Sequence, residues 1–335
     1  ALRHIGKVKA GQMLGPIHGP AWGYRHRARF TVRYVPKKGG ALVGFHEKRS
    51  SYVADMTSCE VVPQRISALL PRLRELVGAL SIRQHLPQIE LSIGAGADVL
   101  VFRILQPFTE ADAALVRSFA EQHRLFVYLQ TAGPETAAPF YPAEGADLHY
   151  VLPEFDVRIY FRPTDFTQVN PGVNRIHVSR AVRLLDPQPG ERVADLFCGL
   201  GNFSLPLAVR GAAVVGFEGS RALVERARRN AAANAVVAQF EALDLFKHRI
   251  EPFGPFPKLL IDPPRDGAFA VATALAQLEK HERPERLVYV SCSPGTLARD
   301  AGVLVHQGGY TLESAGVVNM FPHTAHVESI AVFTR

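Results

Sequence analysis

Cysteine is scarce: Cys59, Cys198 and Cys292 are the only three in 335 residues. That is too few for a disulfide framework in a chain this long, so each is read as a free thiol, a ligand or a nucleophile, and a reducing, cytoplasmic compartment is expected. No apolar run approaches the roughly 18 residues that a membrane span requires, and the start lacks the basic, apolar and small-residue pattern of a signal peptide. No membrane partner is expected. Internal repeats and long low-complexity tracts are missing too. Acids are nearly absent from the first 50 residues, where eleven Lys and Arg stand against Glu47 alone. The remaining residues carry 27 bases and 30 acids, so the whole positive excess lies at the N-terminal end. A polyanion-binding surface needs such asymmetry, because each phosphate contact releases counterions. A solvated basic face with no partner would carry the same charge.

What is present is enough apolar residue, 47% of the chain, for more than one domain. Residues 1–22, with Gly6, Gly11, Gly15, Pro16, Gly19 and Pro20, read as a loose lead-in. A central α+β domain, taken to bind RNA, is expected over 23–160. In it Arg25, Arg27, Arg29 and Arg33 alternate with Ala28, Phe30, Val32 and Tyr34, the period of a strand with one basic face. Lys37-Lys38-Gly39-Gly40 turns that strand into a second, Ala41 to Phe45. Tyr24, Phe30 and Tyr34 fit either a stacking surface for bases or the core face of the hairpin. A single helix is predicted from about Pro63 to Gly78. Over 161–335 apolar strands alternate with amphipathic helices, which predicts an α/β fold with a parallel, doubly covered sheet and a ligand at the strands' C-terminal ends.

One strand of that region runs into Asp195-Leu196-Phe197-Cys198-Gly199-Leu200-Gly201-Asn202-Phe203. Gly199 and Gly201 let the backbone approach a ligand and turn sharply into a helix. A dinucleotide fingerprint would place a third glycine where Ser204 stands. Glu218 ends the next strand, where its carboxylate can accept from both hydroxyls of a ribose. The pattern resembles a Rossmann-like, class I methyltransferase, in which S-adenosylmethionine takes the place of a dinucleotide. A tight strand-to-helix turn with a surface Glu is the plainer reading. Asp244 follows the third strand and Asp262-Pro263-Pro264-Arg265 the fourth. Amino-group methyltransferases resemble this last stretch but carry an aromatic after the prolines; Arg265 argues against that chemistry.

Cys292 ends the apolar run Leu287 to Ser291 and precedes Ser293-Pro294, which places it at the sheet's ligand edge beside a helix N-terminus expected to favour its thiolate. Glu328 begins the last strand, in Phe321-Pro322-His323-Thr324-Ala325-His326-Val327-Glu328. Taken alone, a Cys or a Glu is more often structural. The stretch Val288 to Asp300, the Phe-Pro-His-Thr-x-His-Val-Glu segment, Asp195 to Phe203, Asp165-Phe166-Thr167-Gln168-Val169-Asn170 and Trp22 to Arg29 together resemble the RNA uracil-5-methyltransferase family over nearly the whole chain. The resemblance implies that Cys292 is the nucleophile and Glu328 the base. It implies that Gln168, Phe197, Asn202, Glu218, Asp244 and Asp262 line the S-adenosylmethionine pocket with the two glycines, that Phe166 stacks on the target uracil, and that Arg29 contacts RNA.

The sequence also departs from the family. Members of the ribosomal-RNA branch begin with a small OB-type domain, then three closely spaced cysteines that hold an iron-sulfur cluster with a fourth. Cys59 sits where that fourth ligand falls, and its partners are absent. With no initiator Met, the chain is expected to start downstream of both, and not to hold a cluster by itself, since four thiolates are the usual requirement. Cys59 points to 23S ribosomal RNA over the tRNA branch. A non-catalytic RNA-binding protein on this scaffold is the alternative of another class; retention of both Cys292 and Glu328 speaks against it. A monomer is expected.

Overall fold

Residues 1–247 and 255–335 are described by a computed structural model, in which the chain divides into two units. The larger comprises Ala1–Gly19, Val151–Ile159 and Gly172–Arg335; the smaller comprises Pro20–Tyr150 and Tyr160–Pro171. These boundaries differ from the sequence-based ones. The first residues are no loose lead-in: strand β1 (Gln12–Met13) pairs in parallel with Ser314 and Ala315, and Ile17 is buried. Gly6 lies so close to the backbone of Ala298 that an added Cβ would fall 2.2 Å from its carbonyl oxygen. Only glycine permits that approach.

In the smaller unit, β2 (Arg27–Val35) and β3 (Gly40–Gly44) form the expected hairpin, followed by α1 (Gln64–Ser67) and α2 (Leu70–Ala79). The helix predicted as one is two. Pro71 stands in the first turn of α2; lacking an N–H and clashing with the carbonyl four residues back, it ends α1 at Ser67. Then come β4 (Gln88–Ile93), β5 (Asp98–Arg103), α3 (Glu110–His123), β6 (Phe126–Gln130) and β7 (Ala138–Tyr141). The sheet runs β3-β2-β4-β5-β6-β7. Its one parallel pair, β5 with β6, is bridged by α3, whose start is fixed by a capping box between Thr109 and Asp112. Along β2 the alternation holds: Ala28, Phe30 and Val32 are buried, Arg29 and Arg33 exposed. Tyr24 and Phe30 are buried, and Tyr34 packs on the core with the Arg83 guanidinium 5.0 Å from its ring centroid. The aromatics left open by the sequence therefore serve the core.

The strands β8 (His149–Leu152) and β9 (Val157–Tyr160) form a separate hairpin. The larger unit continues with α4 (Pro171–Leu185), β10 (Arg192–Leu196), α5 (Ser204–Val209), β11 (Ala213–Glu218), α6 (Arg221–Ala233), β12 (Gln239–Ala242), β13 (Lys258–Ile261), α7 (Phe269–Gln277), β14 (Arg286–Ser291), α8 (Pro294–His306), β15 (Thr311–Val318) and β16 (Glu328–Thr334). Its sheet runs β1-β15-β16-β14-β13-β10-β11-β12. All described pairings in it are parallel except those of β16, which runs antiparallel to both neighbours. That departs from an all-parallel sheet, and it brings the first residue of β16 to the edge where β14 ends. The central strands β10, β13 and β14 are almost wholly buried and apolar, as a sheet covered on both faces requires. Strand order reverses at β10, between β11 and β13, so the C-terminal ends of these three strands define the crevice where such sheets bind ligands.

Candidate active site

The turn after β10 is built by backbone that few residues tolerate. Phe197 has φ 64°, Gly199 54° and Gly201 92°. A left-handed aromatic costs on the order of 1–3 kcal/mol and persists only where its surroundings enforce it. Here the enforcing contacts include the Cys198 N–H, which donates to the Phe217 carbonyl at 3.0 Å. The Gly199 N–H and the Ser220 N–H donate to the two oxygens of Glu218, at 3.2 and 3.0 Å. Nothing lies within 4 Å of a Cβ built on Gly199, so open space adjoins the oriented carboxylate. Asn202 exchanges a reciprocal pair of amide hydrogen bonds with Asn174 of α4, at 3.0 and 3.1 Å. Asp244 accepts from the Phe246 N–H at 3.1 Å and pairs with Lys247, and the Phe246 ring lies 5.5 Å from that of Phe197.

A second group gathers where β13 and β14 end and β16 begins. Cys292, half-buried, feels Glu328, Asp262 and Arg265 electrostatically. Burial first, then Glu328 and Asp262, push its thiol above the ordinary cysteine value; Arg265 pulls the other way. The helix N-terminus at Ser293 was expected to favour the thiolate, and the net effect in the free protein is the reverse. Desolvation, with Asp262 second, pushes Glu328 up to about 8, and desolvation pushes Asp262 up to about 7. Under them, wholly buried Asp195 is pushed up to about 7, chiefly by desolvation, although the Ser204 hydroxyl donates to it. Asp195 Oδ1 and Glu328 Oε2 are buried without a donor among the described residues. Arg265 in turn lies against the His326 ring, 3.4 Å from Nδ1.

The structure thus brings Cys292, Glu328 and Asp262 together, and separately Phe197, Gly199, Gly201, Asn202 and Glu218, all in the larger unit. Gln168, Phe166, Arg29 and Cys59 belong to the smaller one. Phe166 is 73% exposed, and the Arg29 Nε donates to buried Glu90 at 3.1 Å while its side chain stays mostly exposed. Sequence reasoning missed two neighbours. Arg265 was noted only for the chemistry it disfavours, and Asn174 bears no motif of its own; its amide partner is remote in sequence.

The family model described as tRNA (Uracil-5-)-methyltransferase matches residues 17–244 and 248–335. The chain belongs to this uracil-5-methyltransferase family. Proteins of Nitrosospira multiformis and Thiobacillus denitrificans, both named 23S rRNA (uracil(1939)-C(5))-methyltransferase RlmD, are each 60% identical over all of this chain and 77% and 78% of their own lengths. The crystal structure of the Pyrococcus abyssi tRNA (uracil-54, C5)-methyltransferase in complex with S-adenosyl-L-homocysteine superposes with a TM-score of 0.76 over 99% of this chain and 81% of that one, at 24% identity, so the two share a fold.

The two cofactors implied by the family meet different fates. Residues suited to S-adenosylmethionine are present: Glu218 is oriented beside the open space at Gly199. Buried carboxyl oxygens that find no donor among the described residues, Asp195 Oδ1 and Glu328 Oε2, also complement a positively charged sulfonium. An iron-sulfur cluster does not fit. Such a cluster usually takes four thiolates, whereas the sequence holds three cysteines, and among the described residues no three His, Cys, Asp or Glu side chains group to hold a metal.

Proposed function

We propose that the chain methylates carbon 5 of a uridine in 23S ribosomal RNA, uracil 1939 by the names of its relatives, using Cys292 as a covalent nucleophile. The observation that carries this reading is the meeting of an accessible thiol with Glu328, Asp262 and Arg265 at one sheet edge. Relatives 57–60% identical along the whole chain favour ribosomal RNA over tRNA. The reading includes a cytoplasmic monomer; among the described residues no helix is long and apolar enough to cross a membrane.

When bound, S-adenosylmethionine supplies an electrophilic methyl group on a positively charged sulfur. Glu218 would hold its ribose, with Phe197, Gly199, Gly201, Asn202, Asp244 and Asp262 lining the pocket. Gln168 keeps the cofactor contact, and Phe166 the stacking on the target base, that the family resemblance implies. The exposed Arg29 would meet a phosphate.

Carbon 5 of uracil is a poor nucleophile until carbon 6 is attacked. The Cys292 thiol gives up its proton to solvent, with Arg265 favouring the anion, and its sulfur bonds to carbon 6. The electron pair of the carbon 5–carbon 6 double bond moves toward oxygen 4. Carbon 5, so activated, would take the methyl group that the bound donor supplies, and the donor would leave as the neutral thioether. Glu328 takes the carbon 5 proton; the freed pair restores the double bond and the carbon 6–sulfur bond breaks, returning the thiolate. A carboxylate whose acid form persists to about pH 8 binds that proton far more strongly than an exposed one.

The test is to incubate the protein with methyl-tritiated donor and with 23S rRNA and tRNA separately. Label in 23S rRNA is expected, and label confined to tRNA overturns the substrate. RNA carrying 5-fluorouridine has no removable proton at carbon 5 and should accumulate a covalent adduct. Bound RNA without adduct would mark a binding protein on this scaffold.

A further inference from the structure

The loop that follows β13 carries both groups of opposite sign that act on the thiol, Asp262 and Arg265. Its far end is not free. Asp300, wholly buried on α8, accepts through Oδ2 from the Tyr289 hydroxyl at 2.7 Å and from the Ala268 N–H at 2.8 Å. Through Oδ1 it accepts from the Arg299 Nε at 2.8 Å. Arg299 continues the tie, its Nη2 donating to the Asp266 carbonyl at 2.8 Å while its guanidinium lies 5.0 Å from the Phe269 ring centroid. Between these anchors Gly267 has φ +77°, and a Cβ there would fall 2.7 Å from Asp300 Oδ2, 2.8 Å from Arg299 Nη2 and 2.9 Å from Thr296 Cβ. Side chains of α8 therefore close directly on the loop backbone at Gly267. The helix so tied starts two residues beyond Cys292, and Tyr289 lies on the strand that ends at Ser291. One buried carboxylate thus joins every element that leads into the thiol's surroundings except β16.

We propose that Asp300 is a positioning residue for the nucleophile: by locking residues 266–268 onto α8 and β14, it fixes where the Arg265 guanidinium stands relative to Cys292 Sγ. The inference rests on the functional reading above for its link to turnover. The groups facing the thiol are Glu328 from β16, Asp262 and Arg265 from the loop, with His326 against Arg265. Two are acidic and one is a cation, so slackening the loop withdraws the side chain that, with a backbone hydrogen bond at Cys292 itself, favours the thiolate. A charge removed from a half-buried thiol shifts its titration by about one unit, or roughly tenfold in thiolate fraction at neutral pH.

The experiment is iodoacetamide alkylation of the free protein across pH, with the Cys292 peptide read by mass spectrometry, for wild type, Asp300→Asn, Tyr289→Phe, Arg265→Ala and the Asp300→Asn/Arg265→Ala double variant. No RNA or donor is needed, so failure here is separable from failure of the substrate reading. Asp300→Asn should move the alkylation midpoint upward by about one unit, and Arg265→Ala should do the same. The double variant should match Arg265→Ala alone, because Asp300 acts through that cation. An unchanged midpoint in a folded Asp300→Asn protein, or additive shifts in the double variant, overturns the proposal. Should Asp300→Asn fail to fold, Tyr289→Phe decides: a smaller upward shift supports the role, and none overturns it. Adduct formation with 5-fluorouridine RNA should slow in parallel with alkylation in the folded variants, while RNA affinity stays unchanged.

Discussion

Glu328 faces Cys292 across the β14–β16 pairing with its carboxyl pushed up to about 8, and its charge helps to hold the thiol in its protonated form. A base whose charge disfavours the nucleophile's anion resists being charged together with it until substrate arrives.

That coupling sets the pH dependence. The free protein loses active carboxylate as pH falls through about 8, and the raised thiol is depleted of thiolate in the same direction. Methylation measured as kcat/KM should therefore rise with pH through about 8, by at least about tenfold per unit on the acid side and more steeply where both groups must ionise. A profile flat between pH 6 and 8, by the initial rate of tritium transfer, would contradict the assignment.

Cys292→Ala should abolish turnover, by roughly 10³-fold or more, while leaving donor affinity within a small factor. Equilibrium dialysis with labelled S-adenosylmethionine separates the two effects. Glu328→Gln should instead let the covalent adduct build up on unmodified RNA, visible as a slower-migrating band on a denaturing gel, because the final elimination is slowed.

The same Glu328→Gln change should stabilise the fold. A glutamate unfolded releases its proton near its ordinary value of 4.5 and folded keeps it to about 8. Between those limits the folded state binds more protons, so the native glutamate's stability falls as pH rises. The variant's gain in Tm should be largest near pH 8 and vanish near pH 4.

Gly201→Ala should cost about 1–3 kcal/mol and weaken donor binding, since φ is +92° and the new Cβ would lie 2.3 Å from Leu205 Cδ1. Urea unfolding measures the first effect and dialysis the second. Arg29→Ala should reduce the salt dependence of RNA binding by about one unit of slope, read by filter binding across potassium chloride concentrations.

Much of this was legible because it is periodic or local. The alternation along Arg27–Val35 and the strand, glycine pair and helix around Gly199 depend on neighbours a few residues apart, and both fold as expected. What stayed hidden depends on distance. The thiol's resistance to ionisation comes first from burial and then from Glu328 on β16 and Asp262 just past β13, whereas the sequence offered only the adjoining helix terminus. The break at Pro71 was local and readable; the apolar period across it masked the boundary. Phe30 could not be assigned until it was seen in one core cluster with Leu70 and Leu73 of α2, because aromatic residues suit a core and a nucleic-acid surface equally.

Strand β1 lies along the outer side of β15, with Ile17 extending the contact to Val318. Without those few residues, β15 would present a row of unsatisfied backbone donors and acceptors on a largely buried, apolar strand, the kind of margin that recruits strands from other chains. Residues 12–17 thus cover that margin, and trimming them should make the protein precipitate on warming before any loss of the catalytic groups is felt.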